Sequence, residues 1–177
     1  MSDAGKSSRA ADLARAFDSS FANPVRTVGD DCDDFLAIRT GGDSYAVRLR
    51  DVVGLTADRK IVPLPTSQPA LLGIAGLRGG VVPVYSLATL LGSSAPSGEA
   101  PRWMLLVGAG ALLGFAFDQF DGQVRVPRSD VSSGGETATY ESARIGDAWR
   151  GIADVVALAE TIRARLPENE TNHGKEK

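Results

Sequence analysis

Cysteine and histidine are nearly absent from this chain: its 177 residues hold one of each. With Cys32 alone, no disulfide can close within the chain. That cysteine stands among Asp30, Asp31, Asp33 and Asp34, a poor setting for a reactive thiolate. It reads as a bystander in a solvated approach to the first strand, and the acidic cluster lacks the glycine and closing glutamate of an EF-hand loop. The only histidine, His173, lies in a polar tail, which removes His-based triads and His-rich metal sites. Neither sign of charge prevails: the net charge is −3, and no dense Lys/Arg patch points to nucleic acid. No apolar run nears the roughly 20 residues that span a bilayer. Residues 4–18 are charged throughout and lack the apolar centre of a secretory signal. A cytoplasmic protein is expected, with no direct membrane insertion, no metal and no cofactor.

What the chain does have is Gly 20 and Pro 9, many turn makers for one domain or two small subdomains sharing a core. Residues 1–9 read as polar and disordered. Over residues 10–21, Ala10, Leu13, Ala14, Phe17 and Phe21 recur at three- and four-residue steps, which predicts an amphipathic helix ended by Asn23-Pro24. So short a helix must dock, on its own domain or on a partner. Strands are predicted over 35–39 and 45–49 around Gly41-Gly42-Asp43, and near 52–55. Pro63 and Pro65 put residues 61–64 at a sheet edge or in a loop. Two strands then flank Leu77-Arg78-Gly79-Gly80, and a brief helix over 87–91 ends at Gly92.

After a Ser/Gly/Pro loop over 93–101 the pattern returns. Met104-Leu105-Leu106-Val107 repeats Phe35-Leu36-Ala37-Ile38, residues 112–117 match the second strand, and 123–126 is a further strand. Leu77, Val84, Ser86 and Leu87 correspond to Ile145, Ile152, Asp154 and Val155 at a constant offset of 68. Both halves end in an apolar helical stretch, 87–91 and 155–162. The expectation is two similar small β-barrels.

These residues carry a resemblance. Tyr45-Ala46-Val47, Val52-Val53-Gly54-Leu55, Ile61-Val62-Pro63-Leu64-Pro65, and Leu72-Gly73-Ile74 through Leu77-Arg78-Gly79-Gly80-Val81-Val82-Pro83-Val84 resemble the CheW-like coupling proteins of bacterial chemotaxis, over about residues 34–166. The resemblance implies a mainly β fold of two intertwined SH3-like five-stranded β-barrels with a few short helices, preceded here by the amphipathic helix. It sets an extension at 1–29, a CheW-like domain at 30–166 with subdomains at about 34–92 and 102–166 and some strand exchange, and a polar tail at 167–177. It implies no enzyme. It implies an adaptor in a signalling array, coupling the cytoplasmic hairpin of methyl-accepting chemoreceptors to the regulatory domain of a CheA-like histidine kinase. Such a protein is recruited to membrane-associated receptor arrays. Receptor-coupling residues then fall on Val52, Gly73, Arg78 and Gly79.

Two positions depart from the family's pattern. Gly76 stands where Asn is usual before Leu-Arg-Gly, and Ser86 where an Asp commonly follows Pro-Val. Loss of a carboxylate near Arg78 would free that arginine or hold it less well. With the long extension, these departures favour a second reading, an accessory or decoy domain that regulates a non-flagellar chemosensory pathway through one partner only.

Taken without the family, Arg78 offers five fixed donors, suited to carboxylates or backbone carbonyls. It serves docking, or it bridges loop carbonyls between the barrels. Gly79 and Gly80 permit positive φ in the turn. No lysine, Ser/Thr or helix start follows at P-loop spacing. Asp118 and Asp121 read as solvated turn residues without a basic companion. Phe115, Phe117 and Phe120 are expected in the core and rim of the second barrel. Trp103 and Trp149 are expected as core or rim residues first and interface anchors second.

Overall fold

The computed structural model describes residues 31–77, 79–93, 101–109, 111–133 and 141–165. The expected helix over 10–21 lies outside the described residues, as do Arg78 and the tail from 166. The fold belongs to the compact unit Asp33–Lys177.

The elements run β1 (Cys32–Thr40), β2 (Asp43–Arg48), a 3-10 turn (Leu49–Asp51), β3 (Gly54–Ala57), β4 (Ile61–Val62), β5 (Leu71–Leu77), β6 (Gly80–Ser86) and α1 (Leu87–Leu90). There follow β7 (Trp103–Ala109), β8 (Ala111–Phe117), β9 (Gln119–Pro127), a second 3-10 turn (Arg128–Asp130), β10 (Val131–Ser133), β11 (Glu141–Ile145), β12 (Ala148–Ile152) and α2 (Val155–Arg165). The protein is mainly β, in two six-stranded sheets. The first has the order β3-β7-β8-β6-β5-β4 and the second β10-β11-β12-β2-β1-β9. Each sheet has one strand more than the resemblance implied.

The two orders are the same order. Reading the second sheet backwards and replacing β1, β2 and β9–β12 by β7, β8 and β3–β6 gives the first. Each half of the chain therefore lends its opening hairpin to the sheet of the other half. Physically, the last long strand of each half would otherwise end its sheet as an unpaired edge. β8 covers β6 in parallel, with Val84 beside Gly114, and β2 covers β12, with Ile152 beside Ala46. The offset of 68 holds in these registers. Ala75 pairs with Val82 in one hairpin, and Ala143 pairs with Arg150 in its counterpart.

This exchange explains the two unbroken apolar runs. A strand covered on both faces needs apolar residues at successive positions. In β1, Leu36 and Ile38 enter a central core while Phe35 enters a core on the other face of the second sheet. In β7, Leu105 and Val107 enter the central core while Met104 and Leu106 enter the core of the first sheet. The central core also takes Phe115, Phe117, Leu87, Val155, Ala159 and Ile162. Phe115 and Phe117, fully buried, thus fill the seam shared by both sheets rather than the interior of one barrel. Each such ring contributes roughly 1.5–3 kcal/mol by burial.

Other expectations need correction. Cys32 is half-buried and opens β1, so it does not sit in a linker. The acidic residues after it are not merely solvated: Asp33 faces Arg128 at 3.6 Å and Asp34 faces Arg125 at 3.4 Å. The strand expected over 123–126 extends to Gln119–Pro127. Trp103 packs on Phe117 and Phe120, but Trp149 is 56% exposed.

Candidate functional site

The β5–β6 hairpin organises the face that the resemblance singles out. Its register runs from Leu77 beside Gly80 to Gly73 beside Val84, then slips by one residue before Leu71. The slip falls at Gly73, whose φ of +145° is open to glycine and strained for other residues. A Cβ there would sit 2.1 Å from the Val62 carbonyl oxygen and 2.8 Å from the Pro63 Cα. The bare backbone at Gly73 is what allows the two-residue edge strand β4 and the chain after it to cross so closely. Gly79, in the turn, has φ +81° and is exposed, with open space where a Cβ would be. Gly80 is an ordinary strand residue.

Val52 belongs elsewhere. Its backbone N–H donates to the Leu49 carbonyl after the 3-10 turn, and its side chain packs half-buried against the central core. Of the four sequence-predicted residues, the structure joins Gly73 and Gly79 on one hairpin and puts Val52 on the β2–β3 connection. The side chain of Arg78 lies outside the described residues.

Ser86 corrects a further expectation. It lies at the opposite end of β6 from Gly79, and its Oγ accepts a hydrogen bond from the Thr89 N–H, capping α1. An Asp at this position would cap a helix and would not attend the turn.

The sequence reading missed four exposed apolar side chains of the first half: Val53, Val62, Leu64 and Val81, each 41–67% exposed. The signal was available in β6, where Val82 and Val84 point into the core and Val81, one step out of phase, must point away. Its counterpart 68 residues on is Trp149.

The charges are gathered differently. Asp34, Asp33, Asp121, Asp130 and Glu141 pair with Arg125, Arg128, Arg39 and Arg150, Arg144, and Arg48 around the second sheet. The first sheet has Arg102–Asp58 at its β3–β7 edge. Asp121 is no solvated turn residue: it accepts from Arg150 Nη1 at 2.8 Å and Arg39 Nε at 3.1 Å. Burial pushes its carboxyl up, but the bonds and charges of these two arginines outweigh that and hold it below the ordinary 3.8. Asp118 accepts from the Gly41 N–H.

Among the described residues, no group of three or more His, Cys, Asp and Glu could hold a metal, and no helix is long and apolar enough to cross a membrane. No curated protein matches the chain. The fold is similar to the crystal structure of the scaffolding protein TtCheW from Thermoanaerobacter tengcongensis, with a TM-score of 0.61 and 18% identity. That match covers 68% of this chain and 87% of the other. The CheW-like domain family matches residues 34–156, the stretch that carries both exchanged hairpins and the glycine-bulged β5. The chain therefore belongs to the CheW-like domain family, a non-catalytic one.

Proposed function

We propose that this protein is an adaptor that couples the cytoplasmic hairpin tips of chemoreceptors to a CheA-like histidine kinase. The observation that carries the reading is the CheW-like match over residues 34–156. The exposed valines and leucine of the first half support it. An apolar side chain as exposed as Val81, 67% exposed and one residue from the Gly79-Gly80 turn, is open to a protein partner. In this reading Arg78, Gly79 and Gly73 serve receptor coupling, Val52 supports them from the seam, and a face of the first sheet pairs with the kinase. Each contact would bury about 800 Å² per partner, and two such contacts hold three proteins together.

The test is co-sedimentation of the chain with a receptor cytoplasmic fragment and CheA. Arg78→Glu is expected to lower receptor capture while the thermal melt stays that of the parent. Unchanged receptor capture by that variant refutes the assignment.

A further inference from the structure

A cavity of about 390 Å³ lies at the other end of β6 from the turn, between the start of β5, α1 and the last turn of α2. Tyr85 is five residues from Gly80, about 17 Å along an extended strand, so this site is separate from the proposed docking face. We propose that the cavity binds a monocarboxylate with a small apolar body.

The volume falls in the range of about 300–1,000 Å³ that ligand sites occupy. Ala70, Leu90 and Ile162 supply apolar walls. Tyr85 is 3% exposed, lines the cavity, and its hydroxyl bonds to no described residue. A phenol hydroxyl at a cavity wall can donate a hydrogen bond to a ligand that enters it. Burial raises its pKa, so it remains a donor at neutral pH.

The internal repeat shows that the fold does not need this phenol. Its counterpart 68 residues on is Ala153, fully satisfactory at the matching place, where the adjoining cavity is only about 150 Å³.

The charge of the ligand follows from Arg165, the one ionised side chain that lines the cavity. It has no partner among the described residues, and a guanidinium matches a carboxylate with two parallel bonds. The carbonyl end of α2 repels anions weakly, so Arg165 is indispensable to the site. Gln68 adds an amide at the rim.

The experiment is calorimetric titration of the full chain with hexanoate, benzoate, hexanamide, and a leucine-ended tripeptide with free or amidated C-terminus. Carboxylates are expected to bind saturably, and their amides about tenfold more weakly or less. Arg165→Gln should weaken hexanoate about tenfold and Tyr85→Phe severalfold. Both variants should keep the ligand-free melting temperature within about two degrees of the parent. Tighter binding of hexanoate marks a free small molecule as the source, and tighter binding of the tripeptide marks a chain end. The proposal is overturned if no carboxylate saturates, if the amides bind equally, or if both variants bind as the parent does.

Discussion

Ser86 and Asp154, 68 residues apart, do the same work: each accepts a hydrogen bond from the backbone N–H three residues on, Thr89 at 3.3 Å and Ala157 at 2.9 Å. Each stands where the last long strand of its half turns into the helix. A hydroxyl in one repeat and a carboxylate in the other satisfy the same orphan donor at a helix start. The Asp-to-Ser departure is therefore a change of cap.

The caps should differ in weight. Asp154→Ala is expected to cost about 1 kcal/mol, because α2 holds Val155, Ala159 and Ile162 in the central core. Ser86→Ala, at the four-residue α1 and with a longer bond, should cost about 0.5 kcal/mol. Urea unfolding of the two variants checks the order.

Gly73→Ala and Gly79→Ala separate folding from docking. At 73 the new methyl would meet backbone on β4, which cannot swing aside, and a loss of about 3 kcal/mol or more is expected. At 79 the methyl meets open space, leaving only the positive-φ strain of roughly 1–2 kcal/mol. Lost partner capture at 73 would then accompany a lowered melting temperature, whereas at 79 the fold stays cooperative.

Val81→Asp and Val82→Asp test the outward face. Val81 is 67% exposed and Val82 4%. The first change should shift stability by no more than about 0.5 kcal/mol while lowering partner capture. The second buries a carboxylate among Ala75, Val84 and Met104 and should abolish folding. Circular dichroism and pull-down on both variants suffice.

Asp121→Asn should cost roughly 1–2 kcal/mol at neutral pH, since it strips the charge from a clamp on Arg150, whose side chain is 15% exposed. The folded carboxyl is held below 3.8. Its contribution is therefore fully present above about pH 4 and is lost as pH falls through the folded value. The gap in urea midpoint between parent and variant should be widest at pH 7 and close as the pH falls below the ordinary carboxylate range. A gap independent of pH would contradict the clamp.

Much of the strand pattern was legible. The hairpin around Gly41-Gly42, the edge position of residues 61–64, the β5–β6 turn and the 68-residue repeat all follow from alternation, turn residues and internal similarity. The runs at 35–38 and 104–107 were legible as strands, but the reason they are apolar at every position was not. That reason lies in pairing with strands of the opposite half. Asp121 escaped for the same cause: its arginines are 82 and 29 residues away, and sequence reading sees only neighbours. Trp149 was expected inside because large rings usually are, and only the pleat of β12 sends it outward.

By itself the sequence determined the local terms: which residues extend, where the chain turns, which ends of strands start helices, and that the chain repeats. Those follow from φ preferences, side-chain periodicity and donors satisfied within three residues. Tertiary structure alone decided which strands meet, why Gly73 can have no Cβ, and where a phenol and a guanidinium share a cavity. These depend on residues far apart in the chain, held together by the apolar area they jointly remove from water.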